Sequence, residues 1–446
     1  MRLNFKQETT MKTKMNTLVL GLVGAGLMTV ILPAGAQTAQ DFEQMRAEIR
    51  ALRSELNAVR EQSKAAAPAS ASAQVSDRIE AMEIKQKDAV VGGDLPGSFR
   101  LPGSETSVRV YGFAEANLVK DFKATAPGDT FTNLAEQPLD SSNPGKGKTV
   151  MTGQTSRFGF ETSTPTALGP FNTKIEADFY GFCDSASTGS TCNRNRLRVR
   201  HAYGEYAGWL VGQTWSTFMD LDNTPETVDF NGPVGMPFRR PTQLRYTYND
   251  PNLAKFQVAL EDASDGGHRP NLVLRADKTF EWGNVNIRLL SHEQRVGNLS
   301  KNGTGVGVGG AYKITSSMTL MGQYNQVDGD NDGAYLIGAN FPDASTGQLL
   351  LDKSRGVVLG LSNVFSEQWR ATVAYGLAES RVASTDPYAL ATGGNKRLSQ
   401  WHVGFYHTPL KNVELGAELI GGKRTTYAGD SGTLSRLNLQ ARYSVN

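Results

Sequence analysis

From Val108 onward, apolar and polar residues alternate one by one along the chain. Val108, Val110, Gly112, Ala114, Ala116 and Leu118 share one parity, while Arg109, Tyr111, Phe113, Glu115 and Asn117 share the other. The period returns in 171–180, 243–248 and 272–277, and most clearly at the end, where Leu437, Leu439, Ala441, Tyr443 and Val445 alternate with Arg436, Asn438, Gln440, Arg442 and Ser444. Period two marks strands with two unlike faces. Segments of about ten residues are long for a soluble sandwich and suit a tilted crossing of a bilayer. Tight connections at 165–170, 249–254, 315–317, 363–368 and 409–412 alternate with long ones at 121–149, 183–194, 216–238 and 382–396. Phe158, Tyr206, Trp209, Trp282, Trp369, Trp401 and Tyr406 fall near expected strand ends, as interfacial girdles do. A sandwich hides its apolar face; these features favour an apolar exterior around a polar interior. The expected fold is therefore all-β, a 16-stranded antiparallel transmembrane β-barrel over 105–446. Seventeen segments qualify as strands, but a barrel with both ends on one side of the membrane needs an even number. Tyr335–Phe341 is accordingly joined to the preceding strand as an extension.

Upstream, the period changes. Phe42, Met45, Ile49, Leu52, Leu56 and Val59 are spaced alternately by three and four residues, which predicts a short N-terminal α-helical coiled coil over 37–64. Its flanking positions set Glu48 against Arg53 and Glu55 against Arg60 in a parallel bundle, so self-association is expected. A seam of fewer than three heptads is marginal alone and needs something larger to gather the copies. Residues 65–104, rich in Ala, Ser and Pro and broken by Gly92-Gly93, Pro96-Gly97 and Pro102-Gly103, read as a flexible linker. Lys12 and Lys14 precede an apolar run from Leu18 to Leu32 closed by Ala34-Gly35-Ala36, the order of a secretory signal peptide over 1–36. In an oxidising compartment, Cys183 and Cys192 are expected to form one loop-closing disulfide.

Composition removes several functions. The formal charge of the 446 residues is +2, and the leader's Arg2, Lys6, Lys12 and Lys14 against Glu8 account for that excess, so no global charge points to nucleic acid. Two cysteines and five scattered histidines give no metal-ligand cluster, and no cofactor is expected. The glycines of 305–310 lie inside an alternating strand with no following helix, unlike a nucleotide loop. Gly429-Asp430-Ser431-Gly432 is a hairpin loop, and Asp328–Gly333 has Ala339 where a calcium loop needs glutamate. No nucleophile constellation is present, so no enzyme is expected.

Chemistry concentrates inside the barrel. Arg194, Arg196, Arg198 and Arg200 share the inward parity of one strand. An antiparallel register whose paired numbers sum to about 376 brings Asp178 to Arg198 and Glu176 to Arg200. Paired, these charges would merely stabilise a wet wall; together with Arg157, Arg245 and Arg288 they form an arginine strip guiding anions, because a low-dielectric wall focuses the field. Segment 216–238 is too long and partly too apolar to hang in solvent. It is expected to fold inward, burying Phe218, Met219 and Phe230 and presenting Asp220, Asp222, Glu226 and Asp229 to arginines across a constriction.

Several runs are distinctive beside the coil: residues 96–107, Thr155-Ser-Arg157-Phe-Gly-Phe160, Arg198-Val-Arg200-His-Ala-Tyr203 and, most specific, Val211-Gly-Gln213-Thr-Trp215-Ser-Thr-Phe-Met219-Asp220, which leads into Pro225-Glu226-Thr-Val-Asp229-Phe230. In these the chain resembles the DcaP-like family of trimeric outer-membrane porins. The resemblance implies a trimer, an inward third loop and uptake of small anionic solutes such as dicarboxylates. The expected partners are outer-membrane lipid, these solutes, further copies of the chain and, through the periplasmic coil, peptidoglycan. The competing expectations are a non-selective or sugar-preferring porin and a structural tether between outer membrane and cell wall.

Overall fold

The computed structural model describes residues 91–123, 131–142, 147–181, 196–263, 267–330, 335–338, 340–343, 346–381 and 394–445, with Ala47, Arg50, Ala51 and 53–58 before them. The leader, both cysteines, Arg194 and most of the expected linker lie outside these residues. The chain divides into two compact units, Met1–Ala89 and Val90–Asn446. The described residues of the first are helical.

The second unit is one closed sheet. Its strands are β1 (Ser107–Asp121), β2 (in two pieces, Thr149–Thr152 and Arg157–Thr164), β3 (Phe171–Gly181), β4 (Arg196–Tyr206), β5 (Trp209–Gln213), β6 (Thr242–Asn249), β7 (Lys255–Glu261) and β8 (Asn271–Phe280). They continue as β9 (Gly283–Val296), β10 (Leu299–Lys313), β11 (Met318–Asp328), β12 (Lys353–Val364), β13 (Trp369–Arg381), β14 (Asn395–Leu410), β15 (Val413–Thr426) and β16 (Ser431–Val445). Each pairs antiparallel with the next, and β16 returns to β1 with Arg442 opposite Glu115. The sheet closes with 16 strands. Closure leaves no unpaired edge, the condition a sheet must meet to sit in lipid. At the end of the expected linker, Val91–Gly92 and Phe99–Arg100 form a short arm that continues onto Ser107 and Val108.

The alternation in sequence becomes outside against inside. Val110, Leu359, Val373 and Phe405 are each more than half exposed on the outer wall, while Asn117, Asn325, Gln400 and Arg436 are buried in the interior. Aromatic pairs gather at the end with short turns: Trp209 with Tyr246, Phe280 with Trp282, and Trp369 with His407. Tyr406 does not join this girdle. It is buried on the inner face under the Arg370 guanidinium, because its even parity on β14 points inward.

Tyr335–Phe341 also departs from expectation. It does not extend β11 but lies in the connection between β11 and β12, which folds into the barrel mouth and carries a separate small hairpin of Asn340–Pro342 with Leu349–Leu351. Tyr335 packs on Phe218, and both join Val273, Leu290, Val327 and Leu336 in an apolar cluster. A second cluster sets Leu134 against Ala378, Leu398, Ile420 and Leu434. Inward-facing apolar wall residues thus occur where connections dock. Burying a side chain such as Phe218 contributes about 2 kcal/mol, which favours holding these segments inside.

Candidate functional site: an arginine-lined constriction

The connection 214–241 between β5 and β6 enters the lumen and is tied to the wall along its length. Ser216 Oγ and Thr217 N donate to Glu261 at 2.7 and 2.6 Å. Arg288 Nη1 donates to Phe218 O at 2.8 Å. Asp220 accepts from Asn286 Nδ2 at 2.7 Å and from Asn223, with Arg275 and Arg288 at 3.7 and 3.8 Å. Farther round, Glu226 pairs with Arg370 at 2.7 Å, Asp229 N donates to Glu418 at 2.7 Å, and Val234 N donates to Gln400 at 3.2 Å. Two glycines make this approach possible: a Cβ on Gly356 would run into Gly235 O, and one on Gly376 into Val234 O.

These ties revise the expected role of the loop acids. Asp220 and Glu226 do face arginines, but the partners are Arg275, Arg288 and Arg370, and the pairs fasten the loop to the wall. Asp222, largely exposed, lies 3.6 Å from Arg275. Asp229 is buried, accepts from Thr132 N at 2.9 Å and stands 4.0 Å from Arg436. Burial, reinforced by Glu418 and opposed by His402 and Arg436, raises the Asp229 pKa to about 6. Arg288 is fully buried under the loop and anchors it instead of lining the passage.

Between the loop and the wall of β16, β1, β2 and β4 lies a cavity of about 200 Å³ whose lining contains Phe113, Arg157, Arg200, Trp215, Phe230 and Arg442. The expected contacts of Arg198 and Arg200 form: Arg198 Nη2 reaches Asp178 at 2.7 Å, and Arg200 reaches Glu176 at 2.9 Å and Asp178 at 2.8 Å. The register, however, slips between Glu176 and Ala177, so that Glu176 stands opposite His201. This bulge turns both Arg200 and His201 inward, as two residues opposing one do at a β-bulge. Arg157 approaches Glu176 at 3.3 Å. Arg245 lies apart from this group, 3.8 Å from Glu205, and Arg196 is exposed at the long-loop end of β4.

Arg240 and Arg442 complete the cluster and were not among the sequence candidates. Arg442 pairs with Glu115 at 2.7 Å; its inward parity on the last strand, with closure onto the first, was the available signal. Arg240, at the loop exit, lies over the Trp215 ring at 4.6 Å, and among the described residues it forms no ion pair. Burial and the neighbouring Arg200 and Arg198 lower its pKa to about 9. Aromatic faces support the other guanidiniums as well: Phe113 under Arg157 and Arg442, and Phe230 under Arg198 and Arg200.

Comparison with known proteins gives the family of the chain. A model of the DcaP outer membrane protein family matches residues 73–445. The chain belongs to that family. The crystal structure of the outer membrane channel DcaP of Acinetobacter baumannii is 28% identical, covers 80% of this chain and 100% of that one, and superposes with a TM-score of 0.68. Porin Omp2b of Brucella suis is 26% identical over 216 residues, which are 47% of this chain and 52% of that protein. The chain thus spans about half the length of that curated relative. An anion-selective porin from Comamonas acidovorans shares the fold at 14% identity and a TM-score of 0.50, over 76% of this chain and 100% of that one. As a DcaP family member, this protein is an outer-membrane channel, and its relatives are channels, not enzymes.

Proposed function

We propose that the protein is a passive channel favouring small anionic solutes, dicarboxylates among them, and that selection occurs where Arg157, Arg198, Arg200, Arg240 and Arg442 converge. The observation that carries this reading is the charge balance at the constriction. Five guanidiniums share it with the four carboxylates Glu115, Glu176, Asp178 and Glu414, the last of which is divided between Arg442 and Arg370; Asp229, on the same lining, stands beside Arg436, and among the described residues Arg240 has no carboxylate of its own. Guanidinium forks suit carboxylate geometry, and a solute carboxylate beside Arg240 would offset the repulsion of its neighbours. In this reading the long connections face outward, the helical segment lies in the periplasm and reaches peptidoglycan, and three copies assemble.

Proteoliposomes holding the purified protein test it by comparing uptake of a four-carbon dicarboxylate with that of a neutral sugar of similar size. Faster dicarboxylate entry is expected, falling toward the sugar rate in Arg157→Gln/Arg240→Gln. Equal entry in the wild type would support the second reading, a non-selective porin, which is favoured by the pairing of Arg198 and Arg200 with Asp178.

A further inference from the structure

Outside the lumen, at the long-loop end of β12 to β15, cations gather on the lipid-facing wall. Lys353, Arg355, Arg381, Arg397 and Lys423 are all exposed there, on the parity that carries Leu359, Val373, Tyr375, Trp401 and Leu419 nearer mid-strand. Register places them side by side. Lys353 stands directly opposite Arg381, Arg355 and Arg397 flank Glu379, and Lys423 lies between Ser399 and Thr433. Glu379 accepts from Arg355 Nε at 2.8 Å and lies 3.4 Å from Arg397. Asp328 stands opposite Lys353, and Asp140 accepts from Thr433 Oγ1 at 2.8 Å beside Lys423. Among the described residues, five cations therefore meet three acids.

Like charges directly opposite across a strand pair destabilise a sheet, and Lys353 with Arg381 is such a pair. Just below, a groove of about 430 Å³ opens among Tyr375, Trp401, Lys423, Thr433 and Ser435. The Trp401 ring lies flat over Gly421, where a Cβ would collide with it. Cations and hydroxyls thus border a groove whose other margin is aromatic, at the level where an apolar band ends. That sequence of chemistries matches a lipid with an anionic head above its chains.

We propose that this patch binds the phosphorylated sugar headgroup of an outer-leaflet glycolipid. Phosphate oxygens accept from Arg381, Arg397 and Lys423, and acyl chains lie against Trp401, Val373 and Leu359. The site is separate from the pore but rests on the outward orientation of the long connections.

The test uses full-length protein in detergent, with retention of bis-phosphorylated lipid A and of its dephosphorylated form measured by native mass spectrometry. The wild type should retain the phosphorylated lipid preferentially. Arg381→Gln/Arg397→Gln/Lys423→Gln, which leaves the Arg355–Glu379 pair intact, should weaken that retention by about tenfold or more and leave the dephosphorylated lipid unaffected. Equal retention of both lipids by the wild type would overturn the proposal, whatever the variant does. So would undiminished retention by a variant of normal conductance, or full displacement by millimolar inorganic phosphate. Conductance and ion preference of the same samples report on the pore, so failure of lipid binding is distinguishable from failure of the transport reading.

Discussion

Arg240 lies 4.6 Å over the ring of Trp215, at the edge of a cluster of guanidiniums, and forms no ion pair among the described residues. Its attraction to the ring holds the side chain in place without cancelling its charge. Arg240→Gln should therefore lower anion preference without loosening the barrel. Measured as dicarboxylate flux through single-protein bilayers, a drop of about threefold to tenfold is expected, with an unchanged unfolding temperature.

Asp178 has the opposite role. It is fully buried and neutralises two arginines, Arg198 at 2.7 Å and Arg200 at 2.8 Å. Asp178→Asn should cost about 3 kcal/mol, because it leaves Arg200 in a buried site with Glu176 alone. The thermal unfolding midpoint of the purified variant should fall while its anion preference rises. A variant equal to wild type in both would show that the pair carries no weight in the wall.

The inward loop hinges on Asp220, which gathers Asn286, Asn223, Arg275 and Arg288. Asp220→Ala orphans the buried Arg288 at a cost of about 3–5 kcal/mol, more than burial of Phe218 returns. The loop should then leave the wall, and single-channel conductance should become larger and noisier. Steady conductance of wild-type size would refute its place as the loop's anchor.

How far these features could be read from the chain depends on their range. Alternation is local, so the strands, the closed barrel and the inward bend near Phe218 were visible in residue order. Tyr406 lies near a strand end, as girdle aromatics do, but its even parity turns it inward. The simple register sum holds at Asp178 and Ala177, then fails at Glu176, where one extra residue turns both Arg200 and His201 inward. Nothing in the order of charges announces that slip. The docking of Tyr335 on Phe218 joins segments more than a hundred residues apart, and the use of Asp220 and Glu226 as fasteners became visible only once the opposite wall stood beside them.

Loop docking should also respond to acidity. The Asp229 carboxyl, raised to about 6 by burial, holds a proton in the docked loop that an exposed aspartate, titrating near 4, releases. Docking is therefore strongest below about pH 4 and weakens as pH rises through about 6. Between pH 5 and pH 7.5 the ratio of undocked to docked loop should rise about tenfold, read as more frequent open-channel flicker. Asp229→Asn should reduce that dependence.

The central claim is that the constriction presents more positive than negative charge to a passing solute. Reversal potential in a potassium chloride gradient, recorded from purified protein in planar bilayers, tests it most directly. A potential showing chloride preference, shifted toward zero when Arg157, Arg200 and Arg240 are replaced by Gln, is the predicted result. Cation preference in the wild type, or a potential indifferent to those replacements, would contradict it.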